Sequence, residues 1–245
     1  MSVLQKQIKF EALTICVGYS DFLRWTMPFI KSFFDRFVVV TSPDDKETQE
    51  LCDFWYVETV VTDAFYTNGD TFNKANGINA GLARLSLKDW VVHIDSDIFL
   101  PPRTGAILRS LPLDPRKLYS IDRINCKSFE KFLAYLHRPE LQHPNTGFMG
   151  FNAFENGARL LDLGVDGWLP IGFFQLWNPM ESGVFTYPNE YGAADRTDVQ
   201  FTRRWTRANR ELIPEIVGVH LESEECTMGA NWQGRTTKYF GVGKC

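Results

Sequence analysis

Four short, apolar, β-rich runs divide the first part of the chain: residues 12–19 (ALTICVGY), 37–41 (FVVVT), 57–62 (VETVVT) and 90–94 (WVVHI). The stretches between them carry apolar residues at helical spacing. The first covers 22–34, with Pro28 as an early position or a kink. The second covers 46–54, behind the turn and N-cap cluster Ser42-Pro43-Asp44-Asp45, and the third runs from about 72 to 85. Strands alternating with helices are joined by crossovers, which predicts βαβ units and a parallel sheet. Ligands of such sheets gather beyond the carboxyl ends of the strands. Two polar clusters sit there: Tyr19-Ser20-Asp21 after the first run, and Asp95 and Asp97 after the fourth.

Asp95 and Asp97 interrupt two apolar runs in WVVHIDSDIFLPP, residues 90–102. A carboxylate buried without a partner is costly, so this placement demands something cationic. Residues i and i+2 on an extended segment point to opposite faces, and a turn at the strand end lets one carboxylate hold a metal while the other touches a ligand. Hard oxygen ligands suit Mg2+ or Mn2+, which bridge to a diphosphate. Upstream, FNKANGINAGL (72–82) opens a helix with Asn73 and Lys74. A helix N-terminus beside a cation favours phosphate, although a plain amphipathic helix with a solvated lysine reads the same way. Downstream, EIVGVHL (215–221) puts His220 at the end of a strand, and Mn2+ accepts imidazole beside carboxylate.

The remainder is less regular. Strands are expected at 118–121 and 148–152, a shaped loop region of Gly, Pro and aromatic residues at 164–193, a helix at 195–207 and a polar tail from 223. With 245 residues, 44% of them apolar, one domain with an ample core is expected, and there is no internal repeat or linker. A net charge of −4 gives no reason to expect a general polyanion binder. No run approaches the ~18–20 apolar residues of a membrane span, and the start, MSVLQKQIKF, lacks the apolar core of a signal peptide. Five scattered cysteines without a C-x-x-C pair argue against a disulfide framework or a zinc site and point to a reducing cytosol.

Taken together, four segments resemble the metal-dependent glycosyltransferases of the GT-A fold, the β-1,4-galactosyltransferase type above all. Phe72-Asn73-Lys74-Ala75 with Asn79 and Gly81 is similar to that family's FN[R/K]A…N.G segment, and His93–Pro101 to its HDVDLLP segment. Ala194–Trp205 resembles its acidic helix start, and Val217–Leu221 its late metal-binding histidine. The resemblance implies a single α/β domain with a mixed central sheet, residues 12–100 forming a nucleotide-sugar half and 101–245 an acceptor and catalytic half. It implies Mn2+ or Mg2+ held by Asp97 and His220, with Asp95 on the ribose or on a metal-bound water. Asn73, Lys74 and either Tyr19 or Asp21 would meet the nucleotide of a UDP-sugar. Asp198 would be the general base of an inverting transfer to an acceptor hydroxyl. The chain departs from the family in reading Asp195-Arg196-Thr197-Asp198, with Thr197 where a glutamate usually stands, which makes Asp195 a rival base. Lys74 also replaces an arginine, keeping the charge but not the bidentate geometry.

Other stretches are read against that resemblance. GFFQLWNP (172–179) is either an aromatic acceptor wall, with Trp177, Phe174 and, further on, Tyr191, or a core strand. NWQGR (231–235) is either a loop closing over the diphosphate through Arg235 or a solvated tail. Arg196, Arg203, Arg204, Arg207 and Arg210 form either a solvated helix face or a contact for a phosphate-rich acceptor. Compact enzymes of this kind in bacteria and phages make a glycan or a hydroxymethylated DNA base the expected acceptor, and the cytoplasm (the host's, for a phage) the expected place. The rival readings are a nucleotidyltransferase and a non-catalytic carbohydrate-binding module.

Overall fold

The computed structural model describes residues 8–126, 128–137, 169–170, 172–190, 194, 197–221 and 240–241. The strand expected at 148–152, and Tyr191, Asp195, Arg196 and Arg235, lie outside the described residues.

The expected alternation is present. Strand β1 (Phe10–Ile15), helix α1 (Ser20–Phe33), β2 (Arg36–Thr41), α2 (Lys46–Phe54), β3 (Glu58–Val61), α3 (Lys74–Leu82) and β4 (Trp90–Ile94) follow in order. β1 pairs in parallel with β2 and with β4, and β2 with β3. Pro28 lies inside α1, which continues past it. β5 (Ile98–Phe99), α4 (Thr104–Ser110), β6 (Leu118–Cys126), α5 (Phe129–His137), β7 (Phe174–Trp177), α6 (Pro179–Ser182), α7 (Thr197–Thr202) and β8 (Arg210–Leu221) are the other described strands and α-helices. One mixed sheet of eight strands results, in the order β3-β2-β1-β4-β7-β6-β8-β5. β7 runs antiparallel to β4 and β6, β8 lies parallel to β6, and β5 pairs antiparallel with β8. This is the mixed α/β architecture expected from the sequence.

The alternation of side chains sorts the core into two faces. Phe10, Ala12, Val39, Val92 and Ile94 pack with Leu23, Met27 and Ile30 of α1, and Leu108 of α4. Leu13, Val38, Val40 and Val91 pack on the other side with Ile78 and Leu82 of α3 and Phe201 of α7. Close approach on this second face requires glycine: a Cβ at Gly77 would lie 2.0 Å from the Phe65 ring, and one at Gly81 2.7 Å from Val40.

Several elements differ in extent from expectation, among them β1, which ends at Ile15 and not at Tyr19. β8 begins at Arg210, not 215, because Pro214 falls in a bulge: Ile121 pairs with Ile213 and Asp122 with Val217. Proline lacks an N–H and is tolerated in a sheet at such irregularities. β6 runs on to Cys126 as the parallel partner of β8. The helix expected over 195–207 is described as the short α7 and a separate 3-10 turn at Arg207–Asn209. Cys16, Cys52 and Cys126 are buried and stand outside any disulfide, and no helix among the described residues is long and apolar enough to cross a membrane.

Candidate functional site

The turn between β4 and β5 carries Asp95-Ser96-Asp97, and its backbone is pinned from four sides. The Asp95 N–H donates to the Phe173 carbonyl (3.1 Å), and the Ile98 N–H closes the turn on the Asp95 carbonyl (3.2 Å). The Thr26 hydroxyl of α1 donates to the Ser96 carbonyl (2.7 Å), and the Leu221 N–H of β8 to the Asp97 carbonyl (2.9 Å). Two carboxylates are thereby fixed facing opposite ways, as their spacing demands.

Asp95 faces α3. The Lys74 ammonium donates to its Oδ1 at 2.5 Å. Burial pushes the Asp95 carboxyl up; Lys74 pulls it down, Asp97 and Asp198 add to the rise, and the net shift is upward. Burial works against the Lys74 charge, yet Asp95, Asp198 and Asp97 outweigh it and raise its pKa. Asp198 thus shares the electrostatic field of the pair.

Asp97 faces β8. Its Oδ2 lies 3.3 Å from His220 Nε2, with both side chains less than a fifth exposed. Burial raises the Asp97 carboxyl, and His220, Arg123 and Lys74 reverse that, so the net shift is downward. The other oxygen, Oδ1, is buried and accepts no hydrogen bond among the described residues. A buried acceptor left bare is costly and marks a place for a ligand. No set of three His, Cys, Asp or Glu side chains arranged for a metal occurs among the described residues. Asp97 and His220 nevertheless fit a divalent cation that takes its remaining ligands from phosphate and water, as Mg2+ commonly does with one or two protein groups.

Asp198 stands in the first turn of α7. Its Oδ2 accepts the Gly172 N–H (2.6 Å) and its Oδ1 its neighbour Val199's (2.8 Å), so among the described residues each oxygen keeps a second lone pair. A Cβ at Gly172 would come within 2.8 Å of the Asp198 Cβ, so this approach needs glycine.

Several expected contacts are corrected. Asn73 is 1% exposed and wholly employed in structure: it caps α3 through the Asn76 N–H (3.1 Å) and donates to Asp70 (2.8 Å) and to the Asn189 carbonyl (3.0 Å). It is an anchor, not a nucleotide contact. Phe174 and Trp177 are 0% exposed, and the Trp177 indole N–H donates to the Val184 carbonyl (2.9 Å). GFFQLWNP is therefore the core strand, because β7 sits in mid-sheet with both faces covered. Asp21 is buried, with its Oδ2 accepting the Phe240 N–H, so this oxygen ties the far end of the chain to α1 and does not await a base. Tyr19 lies past the end of β1 at the start of α1, half-buried and stacked on Phe22 (centroids 5.5 Å apart). Of the arginines, Arg210 donates to the Trp205 carbonyl (2.8 Å), while Arg203, Arg204 and Arg207 are exposed.

Sequence reasoning missed three residues that join the parts. His93, Gln175 and Tyr187 are all buried behind the turn: His93 Nε2 lies 3.7 Å from Asp95 Oδ1, and the Tyr187 hydroxyl donates to Gln175 Oε1 at 2.6 Å. Tyr187 also stacks flat on Phe201 of α7, 3.7 Å away. Two of the three carried a signal. His93 shares a strand face with Asp95, and Gln175 is a polar residue inside an apolar strand.

No protein-family model and no curated protein sequence matches the chain. Solved structures do. Mannosyl-3-phosphoglycerate synthase from Rubrobacter xylanophilus matches at 13% identity and TM-score 0.49, over 90% of this chain and 68% of that one. A mycobacterial protein matches at 14% identity and TM-score 0.47, over 88% and 66%. Glucosyl-3-phosphoglycerate synthase from Mycobacterium tuberculosis, in complex with Mn2+, UDP and phosphoglyceric acid, matches at 18% identity and TM-score 0.35, over 55% of this chain and 51% of that one. At such identities the substrates of those enzymes remain theirs.

Proposed function

We propose that this protein is a metal-dependent glycosyltransferase that moves a hexose from a UDP-sugar to a hydroxyl of a glycan. The observation that carries this reading is the Asp97–His220 contact of 3.3 Å, with a bare Asp97 Oδ1, beside a Lys74–Asp95 pair at the carboxyl end of β4. One group of the cluster offers itself to a cation and another supplies one, which is what a diphosphate leaving group requires. The resemblance of the four sequence segments points the same way.

In this reading Asp97 and His220 hold Mn2+ or Mg2+, which when bound neutralises charge on the departing diphosphate. Lys74, at the start of α3, faces the phosphates, with Asp95 as its orienting partner. Asp198 accepts the proton of the acceptor hydroxyl as that oxygen attacks the anomeric carbon and the bond to UDP breaks, giving inversion. Gly172 and Val199 hold the Asp198 carboxylate still through their N–H groups.

The test is nucleotide release from UDP-, GDP-, dTDP- and CMP-sugars with Mn2+ and with EDTA. Slow hydrolysis of one UDP-sugar, abolished by EDTA, is expected. If no nucleotide sugar is turned over and none raises the melting temperature in the presence of metal, the reading is wrong.

A further inference from the structure

A buried polar chain behind the Lys74–Asp95 pair has a fixed direction. Gln175 on β7 is 0% exposed and lies opposite His93 of β4 in the antiparallel register. Its Nε2 reaches the Pro170 carbonyl (2.9 Å), the Thr202 hydroxyl (3.0 Å) and the Asp198 carbonyl (3.3 Å). The Thr202 hydroxyl spends its own hydrogen on the Pro170 carbonyl (2.5 Å), so toward Gln175 it can only accept. With three acceptors on that side, the amide cannot be flipped. Oε1 is therefore the end that meets Tyr187, and it takes the single phenolic hydrogen at 2.6 Å.

The Tyr187 oxygen then has only lone pairs left for its other neighbour, His93 Nδ1 at 3.4 Å. Nδ1 must carry a hydrogen. Burial, reinforced by the Lys74 charge, holds the His93 pKa well below its ordinary value, so the ring is neutral. Its Nε2 is consequently bare. That nitrogen is buried, has no hydrogen-bond partner among the described residues, and looks at Asp95 Oδ1 from 3.7 Å. Two acceptors facing each other at that distance repel unless a donor is shared between them. The Lys74 ammonium has three hydrogens and already gives one to Asp95 Oδ1.

We propose that His93 is a positioning residue for Lys74: its Nε2, kept bare by the Gln175–Tyr187 chain and 3.7 Å from the Asp95 oxygen that holds the ammonium, is the acceptor to which that ammonium turns a second hydrogen when it swings off the geometry seen here. This rests on Lys74 being the cation that faces the donor's phosphates. One charged and one neutral acceptor fix the direction of the ammonium without cancelling its charge twice. A second carboxylate in place of His93 would hold Lys74 as firmly but leave nothing for phosphate. The same chain runs through the Asp198 carbonyl, so it also sets the base-bearing helix against the Asp95–Asp97 turn.

The test needs no turnover. Long-range 1H–15N correlation spectra of protein labelled with 15N-histidine report which ring nitrogen carries the hydrogen. His93 is assigned by removing His137, His143 and His220 one at a time, so that no core variant is needed. The expected result is a hydrogen on Nδ1 and a bare Nε2; a hydrogen on Nε2, with or without one on Nδ1, overturns the proposal. With Tyr187→Phe and Gln175→Leu combined, both acceptors facing the His93 ring are gone, and the hydrogen should move to Nε2; if it stays on Nδ1, the chain does not set the tautomer and the proposal fails. In Lys74→Met the His93 Nε2 resonance should shift, and an unmoved resonance overturns the shared ammonium. Failure of every nucleotide sugar to bind would sink the transferase reading and leave these three results standing.

Discussion

The two halves of the sheet are built by different rules, and the candidate site lies on their border. On one side β3, β2, β1 and β4 are all parallel, and each is reached through a helical connection. On the other, β7, β6, β8 and β5 mix directions and bulge at Pro214. The Asp95–Asp97 turn joins the two. Asp95 turns to the regular half and finds a lysine there, whereas Asp97 turns to the irregular half and is left with a bare oxygen. Their carboxyls shift in opposite directions, Asp95 up and Asp97 down. The regular half thus brings a carboxylate already compensated by protein, and the irregular half one with an oxygen that accepts no hydrogen bond among the described residues. A fold can keep a rigid platform and a reactive surface apart in this way, yet place their working groups two residues from each other.

The sharpest way to break that contrast is Asp97→Asn. If the irregular half supplies the metal donors, this variant folds, loses the metal-dependent rise in melting temperature, and turns over donor about a thousandfold more slowly. Metal-dependent stabilisation that survives would place the cation elsewhere. Asp198→Asn should cost about a hundredfold or more in turnover while leaving UDP-sugar affinity unchanged, because a base acts on the acceptor's proton and not on donor binding. Weaker donor binding in equal measure would make Asp198 a binding group. Gly172→Ala displaces the same carboxylate without removing it, and about a tenfold loss of turnover is expected, since a shift below 1 Å suffices to misplace a base.

The regular half was legible because its rules are local. β4 and α2 occupy the residues expected, 90–94 and 46–54, since apolar runs and an N-cap cluster announce them. Asp97 and His220 were legible as types, and the turn and β8 place them 3.3 Å apart. The irregular half was harder. Pro214 reads as a strand breaker, and only the parallel partner β6 shows that the strand continues past it. Phe174 and Trp177 read equally well as a sugar platform or as core, because composition cannot say which strand lies in mid-sheet. Asn73 reads as polar and available, but its amide spans to Asn189, a contact across 116 positions that no local pattern records. Tyr187 was invisible for the same reason.

A change inside the regular half should affect stability and spare the chemistry. Gly77→Ala improves helix propensity by about 1 kcal/mol, but its Cβ would lie 2.0 Å from the Phe65 ring. That ring is 0% exposed and stacked on Phe72, so it cannot yield freely. Overpacking of this kind costs about 1–3 kcal/mol, so a net loss of about 1 kcal/mol is expected, with turnover per folded molecule unchanged. Urea unfolding measures it, and a gain in stability would show that α3 can shift on the sheet.

The smallest effect is expected at the outer edge of the regular half, farthest along the sheet from the border. Arg36 on β2 donates to both oxygens of Glu58 on β3, at 2.9 and 2.7 Å, and Arg84 approaches at 3.3 Å. Burial pushes the Glu58 carboxyl up, but the hydrogen bonds and charges of the two arginines outweigh it and hold the group below the ordinary 4.5. The folded protein therefore binds this proton more weakly than the unfolded chain. The stabilisation is present above pH 4.5 and is lost as the pH falls through the lower, folded-state value. Glu58 and Arg36 are 30% and 37% exposed, so water and salt screen the pair to about 0.5 kcal/mol. Glu58→Gln should lower the melting temperature at pH 7 by about 1–2 °C. The gap should narrow as the pH falls below 4.5 and in concentrated salt, with turnover untouched throughout. A gap that persists in acid would mean that Glu58 holds the β2–β3 edge by shape and hydrogen bonding more than by charge, and the contrast between compensated and open charge would then apply only at the border.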